Sequence, residues 1–141
     1  MFSSLFFYLY LGLISYSDLK SGLIPNIFVY SLFLTVFSLK ISTDFNRMFF
    51  CLVAAIAVTL ILLAVRHFTK GLGAGDIKLL FVTTFCTGLF CSVLAIIVSC
   101  LAGILAFCLL KTLRKTVLTI PFAPFITLGY LSVDLFGKKF I

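Results

Sequence analysis

Apolar residues fill this chain in long runs that carry no polar stripe, and that pattern leaves few folds open. A soluble helix buries one face and wets the other, whereas a segment apolar all round takes lipid as its expected solvent. Across 141 residues, 63% are hydrophobic and 11% charged, with a mean hydropathy of +1.32. A water-soluble domain of that length cannot hide so much apolar surface inside itself. The runs fall at about 1–17, 23–39, 48–65, 77–90, 91–110 and 117–136, several of them shorter than the roughly 20 residues a perpendicular helix needs. The expectation is an all-α polytopic membrane protein of about six transmembrane helices. Gly88 is the place where the short fourth span would turn back.

The net charge of +7 does not point to nucleic acid, because the basic residues are scattered singly between apolar runs rather than gathered with aromatics. Cys51, Cys86, Cys91, Cys100 and Cys108 all lie inside apolar stretches, without C-x-x-C spacing and with His67 as the sole histidine. Zinc, disulfide frameworks and a bound cofactor are therefore not expected, and buried inert thiols are. Residues 1–17 have neither a basic start nor a small-x-small cleavage site before Asp18, so they read as a first membrane helix rather than a cleaved signal. The length suits one domain, 1–141.

Basic residues in the connections set the orientation. With the N-terminus outside, the inner segments hold Lys20, Arg66, Lys70, Lys78, Lys111, Arg114 and Lys115, and the outer ones Lys40, Arg47, Lys138 and Lys139. The larger group marks the cytoplasm, which puts both termini outside. Of the four acidic residues, Asp44 lies in "STDFN", where Ser42, Thr43 or Asp44 could cap the next helix, and Asp134 sits four residues before Lys138, the spacing of a helical ion pair.

Asp18 and Asp76 are less easily explained. Two crossings separate them, so both return to the inner face, each with a lysine two residues on, off its own helix face. Ionisable groups at such a boundary are costly and usually functional. Asp76 follows three glycines in "GLGAGD", which fits neither a phosphate loop nor a dinucleotide fingerprint: no strand precedes it and the required later residues are missing. Asp18 opens "DLKSGLIPN", where Pro25 presets a helix start after a glycine turn.

"GAGD" with Lys78 resembles the G-x-G-D-x-K signature of prepilin peptidases, the membrane aspartyl proteases that trim type IV pilin precursors. "DLKSGLIPN" is similar to their other aspartate motif, and "PFAPFITLG" at 121–129 to a third stretch, with Ala123 in place of its usual middle glycine. The three fall in family order. The resemblance implies that Asp18 and Asp76 are the catalytic pair, that no metal takes part, and that the substrate is a type IV or Flp-type pilin precursor. It also implies a multi-pass protein of the bacterial inner membrane, cutting behind a short basic leader at the cytoplasmic face. Paired carboxylates suit amide hydrolysis, one ionised to activate water and one protonated to polarise the carbonyl. Helix dipoles would make Asp76, at a helix start, the base and Asp18, after a helix end, the acid.

The supporting motif residues take lesser roles. Gly73 and Gly75 either admit substrate backbone or only shape a turn, and Asn26 either bonds near Asp18 or caps backbone. Pro121 and Pro124 interrupt the start of the sixth span, most simply as a kink. His67, beside the glycine loop, reads as a solvated histidine. The likeness is to the short peptidase-only members, including Flp-type and archaeal preflagellin peptidases, so no N-terminal methyltransferase or zinc domain is expected and the released amine should stay unmodified. The alternatives are a presenilin or signal-peptide-peptidase type of protease, a transporter or proton-relay subunit, and a scaffold with dispensable aspartates; the first shares G-x-G-D but carries tyrosine-aspartate and P-A-L motifs, whereas here Tyr16 stands two residues before Asp18 and no P-A-L occurs. Topology is checked by cysteine labelling in a thiol-free background: positions 20 and 70 should react from the cytoplasm, 44 and 139 from outside. Labelling of 20 and 70 from opposite sides would separate the two aspartates and end the peptidase reading.

Overall fold

A computed structural model describes residues 2–43, 45–69, 73–112 and 121–136. Asp44, Lys70, Gly71, Arg114, Lys115, Lys138 and Lys139 lie outside the described residues, and with them the expectations that rest on Asp44 as a cap and on an Asp134–Lys138 pair. The described chain is all-helical: α1 (Phe2–Ser21), α2 (Asn26–Thr43), α3 (Phe45–Thr69), α4 (Ala74–Thr87), α5 (Leu89–Thr112) and α6 (Ala123–Phe136).

The helix ends follow from local chemistry. Gly22, at φ 63°, stops α1 in a left-handed turn and gives its N–H to the Asp18 carbonyl oxygen at 2.8 Å. That carries α1 four residues past the expected end of the first run and places Asp18 inside its last turn. Pro25 then stands immediately before α2, as expected. Gly88, at φ 87°, closes α4 with an N–H to the Thr84 carbonyl oxygen at 2.9 Å, and α5 begins at the next residue. The expected kink at Pro121 and Pro124 is not what forms. Pro124 lies in the first turn of α6, where a missing N–H leaves no helical bond unmade, so the prolines start that helix instead of bending it.

Cross-helix contacts fix the directions. Along α1 and α6, Tyr8 meets Tyr130, Ser15 meets Thr127 and Asp18 meets Ala123, so the two helices are antiparallel. Asn26 meets Lys78, and Lys40 meets the Phe85 carbonyl oxygen, so α2 and α4 are parallel. The C-terminal ends of α1 and α3 and the N-terminal ends of α2, α4 and α6 consequently share one end of the bundle. At the opposite end, the Lys40 ammonium donates to the Phe85 oxygen at 2.6 Å and stands 5.1 Å from the Phe85 ring centroid. A cation there complements the unpaired carbonyls and negative dipole end of α4.

The main core joins Phe7, Leu11 and Ile14 of α1 to Leu79 and Leu80 of α4, Ala95 of α5 and Ile126 of α6. A smaller one gathers Met48, Ala55 and Phe85. Outside these, Phe45–Phe68 and Leu89–Thr112 are long and apolar enough to cross a bilayer, with mean hydropathy 3.0 and 2.9. The rest of the protein covers only 17% and 11% of them, which leaves apolar surface facing outward as lipid requires. Of the six expected spans, these two reach that measure among the described residues. The 14 residues of α4 rise about 21 Å, against a hydrocarbon layer of about 30 Å. The thiols also depart from expectation: Cys91 is buried, but Cys100 and Cys108 are exposed.

A close helix crossing lies at Gly129 of α6, where an added Cβ would run into the Ala95 carbonyl oxygen and Ser99 Oγ of α5. Small residues admit such approach where lipid supplies no hydrophobic drive. Gly129→Ala should lower stability in detergent by about 1–3 kcal/mol, while Gly12→Ala, with nothing within 4 Å, should be neutral or mildly stabilising. Thermal unfolding of the two variants checks this; a Gly129→Ala protein as stable as the wild type would show that α5 and α6 do not pack this closely.

Candidate active site

At the shared end of the bundle, a carboxylate from α1 and another from α4 lie within electrostatic reach of each other. Asp18 is 6% exposed. Its Oδ2 accepts the Ala123 N–H at 3.1 Å, across 105 residues of sequence. That N–H belongs to the first turn of α6, where backbone donors have no helical partner and the dipole end is positive. The stretch "PFAPF" thus delivers a donor to Asp18, a role its sequence did not announce.

Asp76 sits third in α4 behind Gly73, whose extended conformation (φ −67°, ψ 144°) makes it the N-cap. The carboxylate turns back and takes the Gly73 N–H, as the third residue of a capping box does. A Cβ at Gly73 would lie 2.8 Å from Asp76 Oδ2, so a larger residue there would displace that carboxylate. Gly75 is small for another reason: its Cβ would come within 3.1 Å of Ile24 Cβ, in the turn between α1 and α2. The glycines of G-x-G-D therefore do two jobs, one for the carboxylate's own fold-back and one for docking the segment that follows Asp18.

Asp76, just ahead of the apolar run of α4, is pushed up to about 6, first by burial and then by the Asp18 charge, with the Gly73 N–H opposing. The dipole argument from sequence, which made Asp76 the base and Asp18 the acid, meets further influences here. α6 puts a positive helix end on Asp18 as well, while burial and the neighbouring charge raise Asp76. Carboxylates that act on each other in this way titrate as a pair.

The supporting residues divide. Lys78 Nζ donates to Asn26 Oδ1 at 3.1 Å, tying the starts of α2 and α4 together, so Asn26 meets Lys78 and not Asp18. Pro25 flanks the Ile24 contact, and Pro121 precedes the Ala123 donor. His67 is exposed in the last turn of α3, edge-on to Phe68, instead of in a loop. Asp134 is remote from the pair, near the other end of α6, against Tyr8 of α1. Among the described residues no three His, Cys, Asp or Glu side chains gather where a metal could sit.

The sequence profile of the type IV leader peptidase family matches residues 5–108, a stretch that holds Asp18 and Asp76 but stops short of Ala123. No curated protein and no solved structure matches the chain.

The raised Asp76 predicts a cost that depends on pH. Above about 6 the group is ionised both folded and unfolded and the penalty is full; below its ordinary 3.8 it is neutral in both states and the penalty vanishes. Asp76→Asn should therefore stabilise the protein at pH 8 by roughly 1 kcal/mol, after discounting for its partial exposure. At pH 3.5 it should make no difference. Thermal unfolding at the two pH values tests this, and an equal gain at both would assign the effect to packing rather than charge.

Proposed function

Because this chain belongs to the type IV leader peptidase family and is a protease, we propose that it is an aspartyl endopeptidase that removes the short basic leader from type IV pilin-like precursors, Flp-type precursors included. The observation that carries the reading is the meeting of two aspartates at one end of the bundle, with the charge of one acting on the other. In this reading ionised Asp18 takes a proton from water as its oxygen attacks the scissile carbonyl carbon. Protonated Asp76 donates to the carbonyl oxygen, which becomes a hydroxyl of the tetrahedral intermediate. Collapse returns that proton to Asp76, while the proton on Asp18 passes to the leaving nitrogen. The pair ends as it began.

Each neighbouring group has a part. The Ala123 N–H holds Asp18 in place and supports its charge. The Gly73 fold-back aims Asp76, and the Gly75–Ile24 contact brings the two motif segments to a common level. The protein is proposed to be multi-pass, with this end of the bundle at the cytoplasmic face; the alternating helix directions and the seven-to-four distribution of basic residues support that placement. A basic leader would then stay in the cytoplasm while the apolar segment after it lies along the helices.

Co-expression with a pilin precursor provides the test. Asp18→Asn and Asp76→Asn should each abolish the leader-sized mobility shift while the protein still accumulates in the membrane. Asp134→Asn, far from the pair, should cleave at nearly the normal rate. Robust processing by either dyad variant would sink the aspartyl mechanism.

A further inference from the structure

Near the aspartates, two polar contacts join α1 to α6, one helical turn apart. In the first, the Ala123 N–H reaches Asp18 Oδ2 at 3.1 Å. In the second, three residues back along α1 and four residues on along α6, the Ser15 hydroxyl meets Thr127 Oγ1 at 3.4 Å. Ser15 and Asp18 therefore share a face of α1, and Ala123 and Thr127 a face of α6. Thr127 donates its own hydroxyl hydrogen to the Pro124 carbonyl oxygen at 2.7 Å, which leaves its lone pairs to accept from Ser15. Ser15 is 8% exposed, and the other buried side chains of these turns, Ile14 and Ile126, are apolar.

The stretch from Ala123 to Thr127 is a stiff unit. Pro124 fixes one φ within it, and the Phe125 and Ile126 N–H groups both bond the Phe122 carbonyl oxygen, at 3.0 and 3.1 Å. A shift of Thr127 along the bundle axis is thus passed on to the Ala123 N–H. Apolar contacts resist such a shift weakly where lipid supplies no hydrophobic drive. A directional N–H···O bond tolerates it poorly, since it weakens steeply as it bends.

We propose that Ser15 and Thr127 are positioning residues for the aspartate pair: their contact keeps α6 at the depth where the Ala123 N–H meets Asp18. Neither touches substrate in this role, and both act through the Ala123 donor. The consequence for cleavage rests on the aspartyl reading above. The coupling of Ser15 and Thr127 to the Ala123 N–H does not depend on it.

Amide hydrogen exchange on the full-length protein in detergent reads the coupling without any substrate. Thr127→Val keeps the side chain's shape but loses the hydroxyl, Thr127→Ser keeps the hydroxyl, and Ser15→Ala deletes the cross-helix contact while leaving the Thr127–Pro124 bond. Exchange at the Ala123 N–H should quicken about tenfold in Thr127→Val and in Ser15→Ala, and return close to the wild-type rate in Thr127→Ser. A wild-type rate in Ser15→Ala, or no recovery in Thr127→Ser, would overturn the proposal. In precursor cleavage, Ser15→Ala should lower kcat several-fold with KM unchanged. It should also move the acidic limb of the pH profile upward, because a carboxylate that loses a donor is more readily protonated. Tyr8→Phe, which removes the remote contact between α1 and the Tyr130 oxygen, should alter neither. Equal losses of kcat in Ser15→Ala and Tyr8→Phe would reduce Ser15 to a general stabiliser and overturn the positioning role. Wild-type protein that cuts no precursor would instead count against the peptidase reading and leave the exchange rates to decide the coupling.

Discussion

A carboxylate held almost entirely out of solvent survives in an apolar bundle only if something pairs with it, and here the partner is backbone. The Ala123 N–H is one of the donors that the first turn of α6 cannot use internally, and it is spent on Asp18. The bond joins the last turn of one helix to the first turn of another, at opposite ends of the described chain. It therefore sets the depth of α6 against α1. Loss of that donor would leave a buried carboxyl oxygen without its backbone partner, a larger penalty than the bond itself contributes.

The second aspartate reaches the same level by a different device. Asp76 closes a capping box on Gly73, and Gly75 lets the start of α4 press against Ile24. The turn after Asp18 and the turn before Asp76 thus touch through an apolar side chain and a missing one, with the Lys78–Asn26 bond beside them. This arrangement holds a half-buried carboxylate near a second charge at a cost in stability. Function-bearing sites commonly keep such unfavourable groups because the surrounding packing over-determines them. Lys40 on the far end of α4, and the single-residue turn at Gly88, secure that short helix where its length alone would not.

α6 does more than complete the bundle. Its last two turns carry Tyr130 and Asp134 away from the pair, and its crossing with α5 at Gly129 is too tight for any side chain. A helix clamped by a close crossing is also tied to α1 by the Ser15–Thr127 contact and by the Tyr8 hydroxyl at the Tyr130 oxygen. In lipid, polar side chains of this kind must find partners within the protein, which is why they line the interior and not the outer faces.

The helical class, the glycine turns at Gly22 and Gly88, and the return of Asp18 and Asp76 to one side were legible in the sequence. They follow from local rules: apolar runs without a polar stripe, residues that tolerate positive φ, and the parity of crossings. Other features were not legible, because they are backbone or through-space effects with no residue type to announce them. A main-chain N–H looks the same at every position, so the Ala123 donor could not be read from "PFAPF", nor could the prolines be seen to begin α6 until the helix itself was placed. The raised Asp76 was not legible either, because the dipole of its own helix is a local quantity, whereas burial and the neighbouring charge exist only once the bundle has closed. Sequence alone determined which residues are able to carry charge and turn the chain; tertiary packing decided which of them meet.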